Sequence, residues 1–145
     1  MGRSLARVYV HLVWTTYGRI PLLVPDLRFR IYRQIMADSK DADVSVLAIG
    51  GVDDHIHALV RLPTKLSIAE YVQQIKGRSS FTAGPEFKWG SGFGAFSIAI
   101  RDIPKVTAYI EKQDIHHTEG TIKRALELTN TDEVERRTDG RVYAD

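Results

Sequence analysis

The sequence contains no cysteine, which excludes disulfides, thiolate nucleophiles and cysteine-held zinc and suits a reducing compartment. It also has no apolar run long enough to cross a bilayer, no internal repeat, no low-complexity tract and no linker. The start, Met1-Gly2-Arg3-Ser4-Leu5-Ala6-Arg7, carries no apolar signal core, so a cytoplasmic protein with no membrane partner is expected. A dominant charge is missing too: the net charge is +2 over 145 residues. With 43% hydrophobic and 26% charged residues the composition is that of an ordinary globular chain, long enough for one domain and too short for two.

The charge that is present is unevenly spread. Residues 1–36 carry +5, residues 37–113 are neutral, and residues 114–145 carry −3. A basic body suits a polyanionic partner, although a solvated surface explains it equally well.

Periodicity divides the chain into alternating elements. Residues 8–15 are β-branched and aromatic and read as a buried strand. Pro25-Asp26 opens a helix on which Leu27, Ile31 and Ile35 recur every four residues, with Arg28, Arg30 and Arg33 mostly on its wet side. Residues 44–51 and 55–62 form a hairpin around Asp53-Asp54. Ser67-Ile68-Ala69-Glu70 is a capping box that opens a second helix, and this helix runs out into Lys76-Gly77-Arg78-Ser79-Ser80. A glycine-punctuated stretch, residues 89–94, leads into a strand at 95–100. Asp102 then caps a third helix whose Val106, Tyr109, Ile110 and Gln113 share one face. The order β-α-β-β-α-β-α predicts an α+β, ferredoxin-like split βαβ domain, an antiparallel sheet backed by helices with an extra C-terminal helix. Residues 1–117 are expected to form the domain, and 118–145 an acidic C-terminal extension without a domain of its own.

Two short patterns carry possible chemistry. His55-Ile56-His57 puts two imidazoles on one face of a strand and Ile56 on the other. Paired imidazoles suit a divalent metal, but an isolated His-x-His more often describes two polar residues on a wet strand face. Tyr109 and Gln113 stack at i and i+4 on one helix face, a pair with little meaning alone. Beside two imidazoles, however, a carboxamide oxygen is a plausible third ligand, and a phenol one turn away would stand next to an electrophile.

Together the motifs resemble the HUH single-strand DNA transposases with one catalytic tyrosine, the TnpA-like enzymes of the smallest bacterial insertion sequences and their repeat-associated relatives. The resemblance runs from about Tyr9 to His117. It rests on residues 11–19 (HLVWTTYGR), Asp54-His55-Ile56-His57, Ile75-Lys76-Gly77-Arg78-Ser79, residues 89–97, and residues 109–117 (YIEKQDIHH). After His117 the chain departs from the family's acidic-aromatic continuation.

This resemblance implies that His55, His57 and Gln113 are metal ligands for Mg²⁺ or Mn²⁺ and that Tyr109 is the nucleophile. Attack by the tyrosine would leave a 5′-phosphotyrosine and a free 3′-OH, an exchange of one phosphodiester for another that needs no nucleotide cofactor. The proton acceptor stays open among Asp53, Asp54, His116 and His117, while His11 is a packed residue or one that backs the ligands. The implied partner is single-stranded DNA with hairpins. Phosphate contacts would come from Lys76, Arg78 and Ser79 at the helix exit and from Arg28, Arg30 and Arg33. Trp89 and Phe93 would stack on bases or, more simply, pack in the core or in a dimer contact. A homodimer is implied as well, one arrangement of which sets His55 and His57 of one chain against Tyr109 of the other. The rival reading is a domesticated DNA-hairpin binding protein of the same fold that no longer moves an element.

Overall fold

Alternation along the strands decides which residues meet which layer. The structure, a computed structural model, describes residues 4–113; His116, His117 and the 118–145 extension lie outside the described residues. Strands β1 (Val8–Thr15), β2 (Ser45–Gly51), β3 (His55–Leu62) and β4 (Gly94–Ser97) form one antiparallel sheet in the order β2-β3-β1-β4. Helices α1 (Pro25–Asp41) and α2 (Ile68–Ala83) connect them, and α3 (Ile103–Glu111) follows β4. This is the expected α+β arrangement, with β1 and β3 at the centre.

One side of the sheet points Val10, Leu12, Trp14, Ile56, Ala58 and Val60 into the layer of α1 and α2, where Ile31, Ile35, Tyr71, Val72 and Ile75 close the main core. The two helices run antiparallel, joined by Ser39 and Tyr71 hydroxyls at 2.6 Å and by Thr82 Oγ1 donating to Gln34 at 3.1 Å. The other side meets α3, where Ala48, Leu59, Val106 and Ile110 make a smaller cluster. A register shift between Val46 and Ala48 fits β2 to both layers, since Val46 faces the main core and Ala48 faces α3.

Three local expectations need correcting. Helix α2 continues to Ala83 through Lys76–Ser80, because Ile75 and Ser79 keep facing the core and Ser79 Oγ donates back to the Ile75 carbonyl. The last strand is short, ending at Ser97, and Ile100–Asp102 forms a 3-10 turn. That turn runs straight into α3, so Asp102 is already helical and makes no side-chain cap; Pro104 in the first turn supplies the start signal. The Ser67 cap is present, its hydroxyl accepting from the Glu70 N–H at 3.1 Å.

Candidate active site

Strands β1 and β3 pair with Thr15 opposite His55 and Val13 opposite His57. On the α3 side this brings His11, His55 and His57 together, and all three are buried, His11 and His57 completely. Burying polar rings is costly unless they are bonded. His57 Nδ1 and His11 Nε2 lie 2.8 Å apart, and His55 Nδ1 lies 2.6 Å from Asp54 Oδ1. The His55 and His57 rings are edge to face, with centroids 5.1 Å apart. Ile56 between them points into the main core, so these histidines do not lie on a wet face.

Helix α3 brings the second half of the site. Val106 and Ile110 seat it on β2 and β3. Gly50, opposite His57, makes the seating possible: a Cβ there would collide with the Ile110 carbonyl oxygen. The buried Tyr109 ring stands edge to face with His57, centroids 6.1 Å apart. Gln113, 1% exposed, donates its Nε2 to the Tyr109 carbonyl at 3.3 Å; of the two ends of its amide, the carbonyl oxygen is the one with the chemistry of a cation ligand.

The donor set is two imidazoles and a carboxamide. Both histidines have Nδ1 engaged, so Nε2 is the nitrogen each would turn to a metal. Mixed nitrogen and neutral oxygen donors fit Mn²⁺ readily and Mg²⁺ with added waters. Among the described residues no group of three or more His, Cys, Asp or Glu is placed to hold a metal, so a three-ligand set depends on Gln113.

Residues 4–113 match the family described as Transposase IS200 like. The chain belongs to the IS200-like transposases. No curated protein matches this transposase. Among solved structures, a Deinococcus radiodurans protein provisionally assigned as a transposase is 21% identical with a TM-score of 0.62, covering 78% of this chain and 96% of its own. A REP-associated tyrosine transposase, solved bound to a REP hairpin, is 17% identical with a TM-score of 0.65, covering 81% of this chain and 73% of its own. Both likenesses show the fold.

The residues expected to contact DNA are not gathered around the histidines. Arg28, Arg33, Lys76, Arg78 and Ser79 all sit on α1 or α2, across the sheet from Tyr109. Two of them serve the interior. Lys76 Nζ donates to the Gly90 and Gly92 carbonyls at 2.7 and 3.1 Å, and burial holds its pKa below the usual lysine value. Ser79 is fully buried and also accepts from Trp89 Nε1 at 3.0 Å. Lys76 and Ser79, expected at phosphates, have these partners inside the protein: with α2 continuing past Ile75, Ser79 faces inward and Lys76 reaches over to the glycine loop. Arg33 and Arg78 are exposed, the latter 3.5 Å from Asp38, and Arg28 donates to the Leu23 carbonyl at 3.3 Å. Trp89 packs against Trp14 and Phe87 in the core, and Phe93 lies against the same cluster, which bears out packing over stacking.

Sequence reading missed the rim of the histidine site. Asp54 does more than make a turn, since one carboxylate oxygen meets His55 and the other lies 4.0 Å from Arg19. Arg19 follows Gly18 through a turn in which both have positive φ. Next to it, Lys88 Nζ stands 4.3 Å above the centre of the half-exposed Tyr17 ring. Tyr17, Arg19 and Asp54 each belong to a motif legible in the sequence, but nothing there ties them together; Lys88 has no such signal. No helix of the described residues is long and apolar enough to cross a membrane.

Proposed function

We propose that the chain is a metal-dependent single-strand DNA transposase that recognises hairpin-bearing element ends, cleaves through a 5′-phosphotyrosine and rejoins the strands. The observation that supports this most is the meeting of His55, His57, Tyr109 and Gln113, from β3 and the α3 end of the chain, in one buried patch. His55, His57 and Gln113 would hold Mg²⁺ or Mn²⁺, which when bound withdraws electron density from the scissile phosphate. The Tyr109 oxygen attacks phosphorus and gives up its proton, the bond to the 3′ oxygen breaks, and a 3′-hydroxyl leaves. Because the phosphotyrosine replaces one phosphoester by another, a second 3′-hydroxyl reverses the step and takes over the strand.

The REP-associated neighbour is bound to a hairpin, which supports single-stranded DNA with hairpins as the partner. Exposed Arg30, Arg33 and Arg78, with Arg28 beside them, offer charge for backbone phosphates on the helical layer. A homodimer is part of this reading. If α3 stays on its own sheet, each chain carries a self-contained site and mixing His57→Ala with Tyr109→Phe restores no cleavage. Recovery in verified mixed dimers would show instead that the helices are exchanged.

The deciding experiment incubates the protein with end-labelled single-stranded oligonucleotides from the DNA flanking its gene, in Mn²⁺. A covalent protein–DNA band is expected for the wild type and none for Tyr109→Phe. Hairpin binding with no covalent product under any metal condition would favour the domesticated binding protein.

A further inference from the structure

Resting on that reading of the site, we propose that His11 is a positioning residue for His57: it accepts the His57 Nδ1 proton, fixes the ring's tautomer and orientation, and so presents His57 Nε2 to the divalent cation. The two residues are 46 apart in sequence, yet the pairing of β1 with β3 sets them diagonally on the two central strands, Nε2 to Nδ1 at 2.8 Å.

A neutral imidazole carries one N–H, so one ring of this pair donates and the other accepts. If His11 donated, the proton of His57 would sit on Nε2 and that nitrogen could not ligate. If His57 donates, its Nε2 lone pair is available. The neighbouring ring supplies an independent guide. A carboxylate only accepts, so Asp54 Oδ1 at 2.6 Å places the His55 proton on Nδ1 and leaves His55 Nε2 as the ligand atom. The same presentation at His57 requires His11 to accept. His55 and His57 thus have backing groups of different kinds, a carboxylate at the rim for one and a fully buried imidazole inside the sheet for the other.

Packing alone does not explain His11. The next residue on its face of β1 is Val13, also buried, and an apolar side chain at position 11 would avoid the cost of desolvating a ring. The ring lies nearly parallel to His57, 23° between planes, so the bond runs close to the plane of both rings, which holds His57 against rotation about its side-chain torsions.

Two measurements test this. In metal-free protein, long-range ¹H–¹⁵N correlation spectra of the imidazoles should show His57 protonated at Nδ1 and bare at Nε2; protonation at Nε2 overturns the proposal. Mn²⁺ binding followed by electron paramagnetic resonance should weaken by about 10- to 100-fold in His11→Phe, which fills the space without an acceptor. It should stay within a few-fold of wild type in His11→Gln, whose amide oxygen can replace Nε2. Equal Mn²⁺ affinity in wild type and His11→Phe overturns the role of His11. If wild type itself binds no Mn²⁺, the metal reading of the site fails, while the tautomer spectra still decide what His11 does. Where His11→Phe does not fold, the wild-type tautomer and the His11→Gln affinity carry the test.

Discussion

The two faces of the sheet are built for different work. Against α1 and α2 it presents a continuous apolar surface, from Val10, Leu12 and Trp14 on β1 to Ile56, Ala58 and Val60 on β3. Against α3 the apolar contact shrinks to Ala48, Leu59, Val106 and Ile110, and beside it three imidazoles, a phenol and a carboxamide are buried. The first face supplies hydrophobic stabilisation, while the second bears the desolvation cost of polar groups and offsets it with paired hydrogen bonds. Because strand side chains alternate, consecutive residues of β3 belong to opposite faces, and the chain separates its apolar core from its buried polar groups without a second domain.

The comparison is broken most completely at Tyr109. Tyr109→Phe removes one oxygen from the polar face, and covalent attachment to DNA is expected to fall at least about 10³-fold while the melting temperature moves by no more than about 2 °C. A gel assay for the covalent species, alongside calorimetry, checks both halves. A variant that still attaches would move the nucleophile to another tyrosine.

Gly50→Ala attacks the seat of α3 and leaves the main core alone. The added methyl meets the Ile110 carbonyl, so α3 is expected to shift and cleavage to drop about 10²-fold, the usual cost of an ångström of misplacement. Hydrogen exchange should report lost protection in α3 with α1 and α2 unchanged; uniform loss across all three helices would mean that the faces are not independent.

Neighbouring substitutions in β3 sharpen the contrast. Ile56→Ala opens a cavity in the main core and is expected to cost about 3 kcal/mol in urea denaturation, with Mn²⁺ affinity little changed. His57→Ala should cost about 1 kcal/mol and abolish Mn²⁺ binding. Reversed or equal stability losses would contradict the division of labour.

The smallest effect belongs to Tyr71, the one phenol buried in the apolar face among the described residues. Burial pushes its pKa up from 10.0 to about 12, opposed by its bond to Ser39. The folded state therefore keeps a proton that the unfolded chain gives up, and this contribution is full below about pH 10 and lost as pH rises towards about 12. The urea midpoint should accordingly fall more between about pH 9 and about pH 11 in wild type than in Tyr71→Phe. Identical slopes would sink the assignment.

Much of this was legible in advance because it rests on local periodicity. The period of two in His55-Ile56-His57 and the period of four from Tyr109 to Gln113 are backbone geometry, as is the Ser67 cap. What misled was a local signal overruled by packing. Lys76-Gly77-Arg78-Ser79-Ser80 reads as a helix exit, yet Ser79 satisfies its hydroxyl inside the helix and on Trp89, ten residues on, and the cost of Gly77 is small against the burial of Ile75. Asp54 looked like a turn residue because its contact with Arg19 needs the turn that returns residues 17–19 to the start of β3.

Spacing along the chain was enough to give the order of strands and helices, the shared face of His55 and His57, and the shared face of Tyr109 and Gln113. Those follow from dihedral preferences and side-chain spacing along a single chain. Spacing could not give the placement of α3 across the sheet from α1 and α2, the room that Gly50 leaves for it, or the 2.8 Å approach of His11 to His57. Each of these depends on strand register and layer choice, which bring together residues tens of positions apart and which no local pattern encodes.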